Sequence, residues 1–594
     1  MYIEVFKLIK KSILYILVLS FGVLNACSTN DEENENIAPS NIQLETQQVN
    51  NEKDTRPNIL VILADDLGYS DIGVFGGEIN TPNIDALASA GMRFTNFHVH
   101  MACSPTRAMF LTGVDSHIVG YGTMTDEHTP ETEGQPGYET FLNSRTETIP
   151  QLLRDTGYHT YITGKWDMGG RGNEALRPSN RGFEESWVLV EGSGSHYDST
   201  GVFADLPTVT YAENGKNIDL PEDFYSSKTY VDKMIEYIDK HGDDDDPFFA
   251  YLSFTAPHWP LQAPAEFIDR YKGVYDKGYE GIRERRLQRM RDLGLLTEGQ
   301  QPAEPHELIP AWQDLSPTHQ KLEVRRMEIY AGMVEAMDYH TGRLLDYLRV
   351  TGKWDDTLII FLSDNGAAGE NPMDWRDFYY PWLEQSFDLS LDNMGLPGSY
   401  VWYGPAWAQV SSTPYKYSKM FPTEGGIRSP AIFVHPGQIP AGDSSNEYAN
   451  VLDLPATLLD IAGINTENYN QGDVIPLQGV SMLGHLNNLS RPIHESDDYY
   501  GLALFGRRAL IQDNWKLVWL NAPWGREGQW SLYNLDTDPA ESQDLADSNS
   551  EKLADMTALW DKFVKDNGVI PIEKYDMGAT NLLSHFEWLP PSMR

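Results

Sequence analysis

Four apolar runs, each broken off by polar residues, constrain this chain more than any other feature. Asn58–Leu63 runs into Asp65 and Asp66, and Tyr158–Thr163 into Gly164 and Lys165. Pro247–Phe254 runs into Ala256, Pro257 and His258, and Thr357–Leu362 into Asp364 and Asn365. These runs read as strands. Between them lie helical patterns: Ile84, Leu87 and Ala88 closed by Gly91, and Ile149, Leu152 and Leu153 closed by Gly157. Strand–helix alternation predicts an α/β chain with a mostly parallel sheet between helices. Such sheets bind ligands beyond the carboxyl ends of their strands. The four polar endings are therefore expected to converge on one cleft.

Elsewhere the pattern is coarser. Met327, Tyr330, Met333, Val334, Met337, Leu344 and Leu345 recur at helical spacing and predict a long core helix over Lys321–Val350. The charged stretch Asp269–Asp314 reads as surface helices and loops. From about Arg491 the texture changes. Gly501–Ile511, Trp515–Trp519 and Trp530–Leu535 read as short antiparallel strands, and Glu551–Lys565 as a packing helix. This predicts a catalytic domain over 57–490 and a smaller C-terminal α+β subdomain over 491–594.

Residues 1–27 read as an export signal. Lys7, Lys10 and Lys11 precede the apolar stretch Ile13–Val23, and Leu24-Asn25-Ala26-Cys27 has the form of a lipobox. Cys27 is expected to carry lipid and to anchor the chain at the outer membrane, on the cell surface or in the periplasm. The acidic, polar stretch 28–56 is expected to be a disordered tether. With 45 basic against 87 acidic residues the formal charge is −42. That argues against nucleic-acid binding. It also means that an anionic substrate must be held by local cations against an unfavourable overall field.

Cys103 is the one cysteine outside the export signal. Pro105 suits the first turn of a helix over Pro105–Leu111. Cys103 would then sit at the positive end of that helix with Arg107 one turn on, a place that suits an anion and an activated nucleophile. Asp65, Asp66, Asp364 and Asn365 form an all-oxygen set that suits a hard cation, Ca²⁺ or Mg²⁺. Any one of these at a strand end is also an ordinary cap or turn residue; two pairs on separate strand ends favour a metal site.

The run Cys103-Ser104-Pro105-Thr106-Arg107, followed by Leu111-Thr112-Gly113, resembles the signature of the type I, formylglycine-dependent sulfatases. Gly164-Lys165-Trp166, Asn58–Asp66, Thr81–Asp85, Ser363–Gly366 and Glu424–Arg428 also look like that family, in order along nearly the whole chain after residue 57. Ala256–Leu261, Tyr400–Pro405 and Trp407–Gln409 resemble its bacterial arylsulfatase branch. The resemblance implies an alkaline-phosphatase-like fold with a smaller C-terminal domain, and hydrolysis of an organic sulfate ester, aryl or glycan. It implies that a sulfatase-maturing enzyme oxidises Cys103 to formylglycine (3-oxoalanine), whose hydrate is the nucleophile. It implies Ca²⁺ on Asp65, Asp66, Cys103, Asp364 and Asn365. Arg107 and Lys165 would hold the nucleophile and the sulfate, Lys419 would bind sulfate near the leaving oxygen, and His258 would serve the leaving alcohol.

One position departs from that pattern. The second signature usually continues Gly-Lys-Trp-His, and here Asp167 follows Trp166. Asp167 is expected either to act as the base that the histidine supplies or to point away and pair with a nearby cation. His196, on a Gly/Ser-rich loop, could reach the substrate. His117 could line the cleft. Trp402, Tyr403 and Trp407 could stack on a leaving group or pack the core. Two other functions fit parts of the pattern. One is a phosphomonoester or phosphonate monoester hydrolase; the other is a non-catalytic lipoprotein that binds sulfated glycans with Cys103 unmodified. A thiol phosphatase is a poor fit, since Cys103 and Arg107 are separated by three residues and that loop needs five.

Overall fold

The structure, a computed structural model, describes residues 54–594 apart from 126, 243, 298, 373–379, 465–474, 527, 574–581 and 590–594. The export signal, Cys27 and nearly all of the tether lie outside the described residues. No described helix is long and apolar enough to cross a membrane.

The apolar runs are strands. In chain order they begin β1 (Asn58–Ala64), β2 (Met92–His98), β3 (His159–Lys165), β4 (Glu185–Leu189), β5 (Thr200–Phe203) and β6 (Leu206–Thr208). They continue as β7 (Tyr211–Glu213), β8 (Lys216–Asn217), β9 (Phe248–Ser253), β10 (Thr357–Ser363) and β11 (Arg428–Val434). The remainder are β12 (Asp443–Ser445), β13 (Ala449–Asn450), β14 (Tyr499–Leu504), β15 (Arg507–Gln512), β16 (Trp515–Trp519) and β17 (Ser531–Asn534).

The large sheet runs β12-β2-β11-β10-β1-β9-β3-β4-β7-β8, with β13 also on β2. Its centre, β10-β1-β9-β3-β4, is parallel throughout. β11 enters antiparallel between β10 and β2, and β7 and β8 add antiparallel pairs at the other edge. The centre is buried on both faces, so its strands are mostly apolar, with Thr160 and Thr163 of β3 and Glu185 and Ser186 of β4 as buried polar exceptions. Leu60 and Ile62 of β1 join one core with Ile359 and Phe361, while Ile59, Val61 and Leu63 join the other with Leu358 and Ile360. The first core is roofed by the helix Pro317–Val350, started by Ser316, whose hydroxyl accepts the His319 N–H. The second contains Ala108–Leu111 of the helix Cys103–Thr112.

The parallel register aligns the strand ends. Ala64 pairs with Ser363, Leu63 with Ser253, and Ser253 with Gly164. Asp65, Asp364, Lys165 and the segment after Ser253 therefore leave the sheet at one level.

The C-terminal sheet, β14-β15-β16-β17, is antiparallel and packs on the helix Ser550–Asn567. The stretch Gly501–Ile511 is part of a hairpin and not one strand. Phe505 and Gly506 both take positive φ, 53° and 74°, which suits a two-residue turn matched to strand twist. The segment Asp269–Asp314 also departs from a purely superficial role. Arg286, on the helix Gly278–Asp292, is fully buried and bonded to Asp71 and Glu78.

Candidate active site

The nucleophile helix starts at Cys103, two residues before the expected start, and Pro105 falls at its third position. That is still within the first turn, where a missing N–H costs nothing. Cys103 is 3% exposed and lines a cleft of 310 Å³ together with Ser104, Lys165, Asp167, His258, Glu370 and Lys419. Its surroundings do not activate a thiol. Burial outweighs the nearby lysines and pushes the thiol up to about 12.

Beneath Cys103 four carboxylates, Asp65, Asp66, Asp364 and Glu370, meet three cations, Lys165, Arg107 and Lys419. Lys165 Nζ donates to both oxygens of Asp65, at 3.0 and 2.9 Å. Arg107 donates through Nε and Nη2 to Asp364 Oδ2, at 2.9 and 2.6 Å, and through Nη1 to Ser253. Lys419 Nζ lies 2.8 Å from Asp66 and 3.2 Å from Glu370. Asp66 turns off β1 with φ 68°, a left-handed conformation that Asp tolerates better than most residues. Its N–H donates to Asp364 Oδ1 at 3.1 Å, and the Asn365 amide donates to Asp66 Oδ1 at 2.7 Å. Two carboxylates separated by about 300 residues are thereby locked together.

Burial sets the charges of this cluster. It pushes the Asp65 carboxyl well up, with Asp364 adding to the effect against Lys165 and Arg107. Burial also opposes ionisation of Asp66, but Lys419 and His258 outweigh it and hold that carboxyl down at about 2. Lys165 and Lys419 are desolvated yet held above the ordinary lysine range by Asp65 and by Asp66 with Glu370. His258 lies well below the ordinary imidazole range because it is buried beside two ammonium groups, despite Asp66 at 3.5 Å. It is therefore a neutral imidazole. Its Nδ1 meets the Trp259 carbonyl, which fixes Nδ1 as the protonated nitrogen and leaves Nε2 with a lone pair.

The residues fit a hard dication. Ligand atoms of Asp65, Cys103 and Asp364 lie within 4.8 Å of one another. Asn365 Oδ1 is buried with no hydrogen-bond partner, a costly state for a carbonyl oxygen unless an ion or water meets it.

Asp167 faces the cleft. It accepts a hydrogen bond from Ser104 Oγ at 2.7 Å and lies 3.9 Å from Lys165, with φ 57°. Arg107 is set behind Cys103 and holds Asp364; it is not a cleft-wall residue. His196 was expected on a flexible loop within reach of substrate. It is instead buried, with Nδ1 at 2.7 Å from Ser226 Oγ and Nε2 on the carbonyl of His258, and burial pushes it down to about 4. It supports His258 from behind. His117 is buried against Asp115. Trp402, Tyr403 and Trp407 pack in the core and do not line the cleft. Ser253, Ser104 and Glu370 carry no local sequence signal of a role here. Each is an ordinary residue until the fold sets it beside Arg107, Asp167 or Lys419.

A mostly parallel sheet with a buried cation-and-carboxylate cluster at its strand ends is the arrangement of an alkaline-phosphatase-like scaffold. A sulfatase family profile matches residues 57–464, and a second, for the C-terminal part of N-sulphoglucosamine sulphohydrolase, matches residues 415–566. An uncharacterised sulfatase of Schizosaccharomyces pombe is 39% identical over 528 residues, covering 87% of this chain and 94% of its own. The arylsulfatase of Klebsiella aerogenes is 39% identical over 435 residues, covering 72% and 91%. Among solved structures, Ps i-CgsB in complex with k-i-k-neocarrahexaose superposes with a TM-score of 0.62 at 24% identity, covering 90% of this chain and 98% of that one. The chain belongs to the sulfatase family, and it is a sulfuric ester hydrolase.

Proposed function

We propose that this enzyme cleaves sulfate monoesters of compact, apolar or aromatic alcohols, using an oxygen nucleophile made from Cys103. The observation that carries this reading is the position of Cys103. Its ligand atom lies within 4.8 Å of those of Asp65 and Asp364, and it lines the same cleft as Lys165 and Lys419. A thiol held near 12 is protonated at neutral pH, which supports an oxidised side chain as the working form. Formylglycine at this position would supply a hydroxyl nucleophile when hydrated, with a second hydroxyl to restore the aldehyde. Asp65, Asp66, Asp364 and Asn365 would hold Ca²⁺ or Mg²⁺, which supplies positive charge for the sulfuryl oxygens.

The chain's own groups do the rest. Four carboxylates face three cations, an excess of one negative charge, so a dication and a sulfate monoanion entering together would bring the cluster to balance. Lys165 and Lys419 reach the cleft from two sides and stabilise charge on the transferring group. Arg107 keeps Asp364 in place. His258 Nε2, free as a lone pair, would take the proton that the attacking hydroxyl gives up and pass it to the leaving oxygen. Asp167, steadied by Ser104, stands where it can accept the proton of the second hydroxyl.

The alcohol side of the cleft is walled by Met124, Phe141, Phe203, Leu206 and Trp259. Asp205 and Glu191 also line it, and Arg171, the one arginine lining it among the described residues, lies 4.0 Å from Glu191. Such walls favour an uncharged ring over further sulfate groups. The phosphorus-ester and non-catalytic readings are not favoured by the relatives found.

Mass spectrometry of the peptide bearing Cys103 tests the nucleophile: it should show formylglycine after co-expression with a sulfatase-maturing enzyme. Rates with an aryl sulfate should exceed those with the matching aryl phosphate. Intact cysteine in fully active enzyme would overturn the reading. Export as a lipoprotein is part of the same proposal, motivated by the sequence before Cys27. Labelled palmitate should enter the chain and be absent from Cys27→Ser.

A further inference from the structure

Among the described residues, two groups of metal-ligand side chains come together, and the second lies far from the first. His159, His241 and Asp244 place one ligand atom each within 4.8 Å of the others. They come from three elements. His159 opens β3, the strand whose far end carries Lys165. His241 follows the last residue of the helix Ser226–Lys240, and Asp244 lies on the loop beyond. The group is thus at the opposite end of the sheet from the cleft.

Its details are those of a ligand set. His159 Nδ1 lies 2.7 Å from Glu184 Oε2, and the Glu184 N–H is tied to the Thr160 carbonyl at 2.8 Å. A carboxylate on one ring nitrogen fixes the tautomer and turns the other nitrogen outward as a donor to metal. That other nitrogen, Nε2, faces Asp244 Oδ2 at 3.1 Å. A lone pair facing a carboxylate oxygen needs a positive charge between them: a proton or a metal ion. The His241 ring lies beside that of His159, centroids 4.3 Å apart. Its Nε2 is shielded from solvent, has no hydrogen-bond partner, and is 3.6 Å from Glu185. Two imidazoles so close cannot both carry a proton cheaply, and a shared metal removes that conflict.

We propose that His159, His241 and Asp244 bind a zinc-type divalent ion, with Glu184 orienting His159 from behind and water completing four ligands. Nitrogen with one or two carboxylate oxygens suits Zn²⁺ better than Ca²⁺. A tetrahedron of ~2.1 Å bonds has edges of about 3.4 Å, so the side chains need close in only slightly. The ion would tie the end of the helix Ser226–Lys240 and the acidic loop to the first residue of β3. It is a structural clamp, separate from catalysis.

The test uses untagged, Ca²⁺-saturated protein at pH 7.5, titrated with Zn²⁺ against a fluorescent zinc indicator. Wild type should take up one tight equivalent. His159→Gln, His241→Gln and Asp244→Asn should each weaken it tenfold or more, with hydrolysis of an aryl sulfate unchanged. Co²⁺ should give tetrahedral visible absorption in wild type that Asp244→Asn abolishes. Asp244 is half-exposed, so that variant keeps the fold even if a histidine variant does not. Uptake equal in wild type and Asp244→Asn, or no tight equivalent in wild type, would overturn the proposal.

Discussion

Lys516→Met should destabilise the enzyme by about 3–4 kcal/mol at neutral pH, and by much less in mild acid. Lys516 rises from β16 of the C-terminal sheet into the layer behind the active site. It has no exposed surface. Its ammonium lies 2.7 Å from Glu424 and 2.8 Å from Glu541, both fully buried. Burial works against ionisation of Glu424, yet Lys516, His98 and Arg428 together hold it well below the ordinary range. Glu541 is raised by burial, with Lys516 as its main counter-charge. Methionine keeps the stem and removes the charge. Glu424 retains His98 at 3.0 Å and Arg428 at 3.0 Å. Glu541 retains only the Glu424 N–H at 2.8 Å, so it must take a proton. Protonating a carboxyl of ordinary value near 4.3 costs about 3.7 kcal/mol at pH 7 and about 1 kcal/mol at pH 5. This agrees with the ~3–5 kcal/mol seen when one member of a buried pair is removed. The sign follows. The variant's folded state binds a proton that its unfolded state lacks above pH 4.3, so its stability rises relative to wild type as pH falls. Urea unfolding followed by tryptophan fluorescence, at pH 7 and pH 5, measures the gap. A gap under about 1 kcal/mol at pH 7, or one that fails to narrow at pH 5, refutes the reasoning.

Other consequences are as open to measurement. Lys419→Ala should lower kcat for an aryl sulfate by about 10²–10³, with an unchanged circular dichroism spectrum; a loss below threefold would remove Lys419 from the transition state. Removing metal with a chelator should abolish turnover, and Ca²⁺ or Mg²⁺ should restore it; retained activity in metal-free enzyme would contradict the ligand set. Asp167→Ala should leave the first turnover nearly intact and slow later ones at least tenfold, read by rapid quench, and equal losses in both phases would deny it the regenerating step. His196, held at about 4 against 6.5 when unfolded, contributes stability that is present above pH 6.5 and lost as pH falls to 4. His196→Gln should flatten that acid loss by about 3 kcal/mol, and an unchanged pH profile would show that His196 is not buried neutral.

The centre of the fold was legible because strands buried on both faces, β1 and β10 above all, run apolar almost to their polar ends. Asp65, Asp364 and Lys165 were therefore conspicuous, and the parallel register brought them to one level as expected. The edges were less legible. Asp443–Ser445 and Ala449–Asn450 are too short to carry a period, and Phe505-Gly506 turns a stretch that reads as continuous. The charge partners were hidden for a different reason. Lys516 meets Glu424 across 92 positions, and no local pattern encodes such a meeting. Helix geometry alone also leaves out the burial of Cys103. A helix end favours an anion by about 0.3–1 kcal/mol when exposed, whereas full burial costs several times that.

The seclusion of Cys103 has a further consequence, one of timing. Its backbone belongs to a helix whose next residues are sealed in the core beneath the sheet. A second enzyme cannot thread that turn into its own catalytic groove once the helix has docked. Under the proposed chemistry, the oxidation must therefore happen while the polypeptide is still slack, and a chain that folds first is committed to remaining an inert thiol.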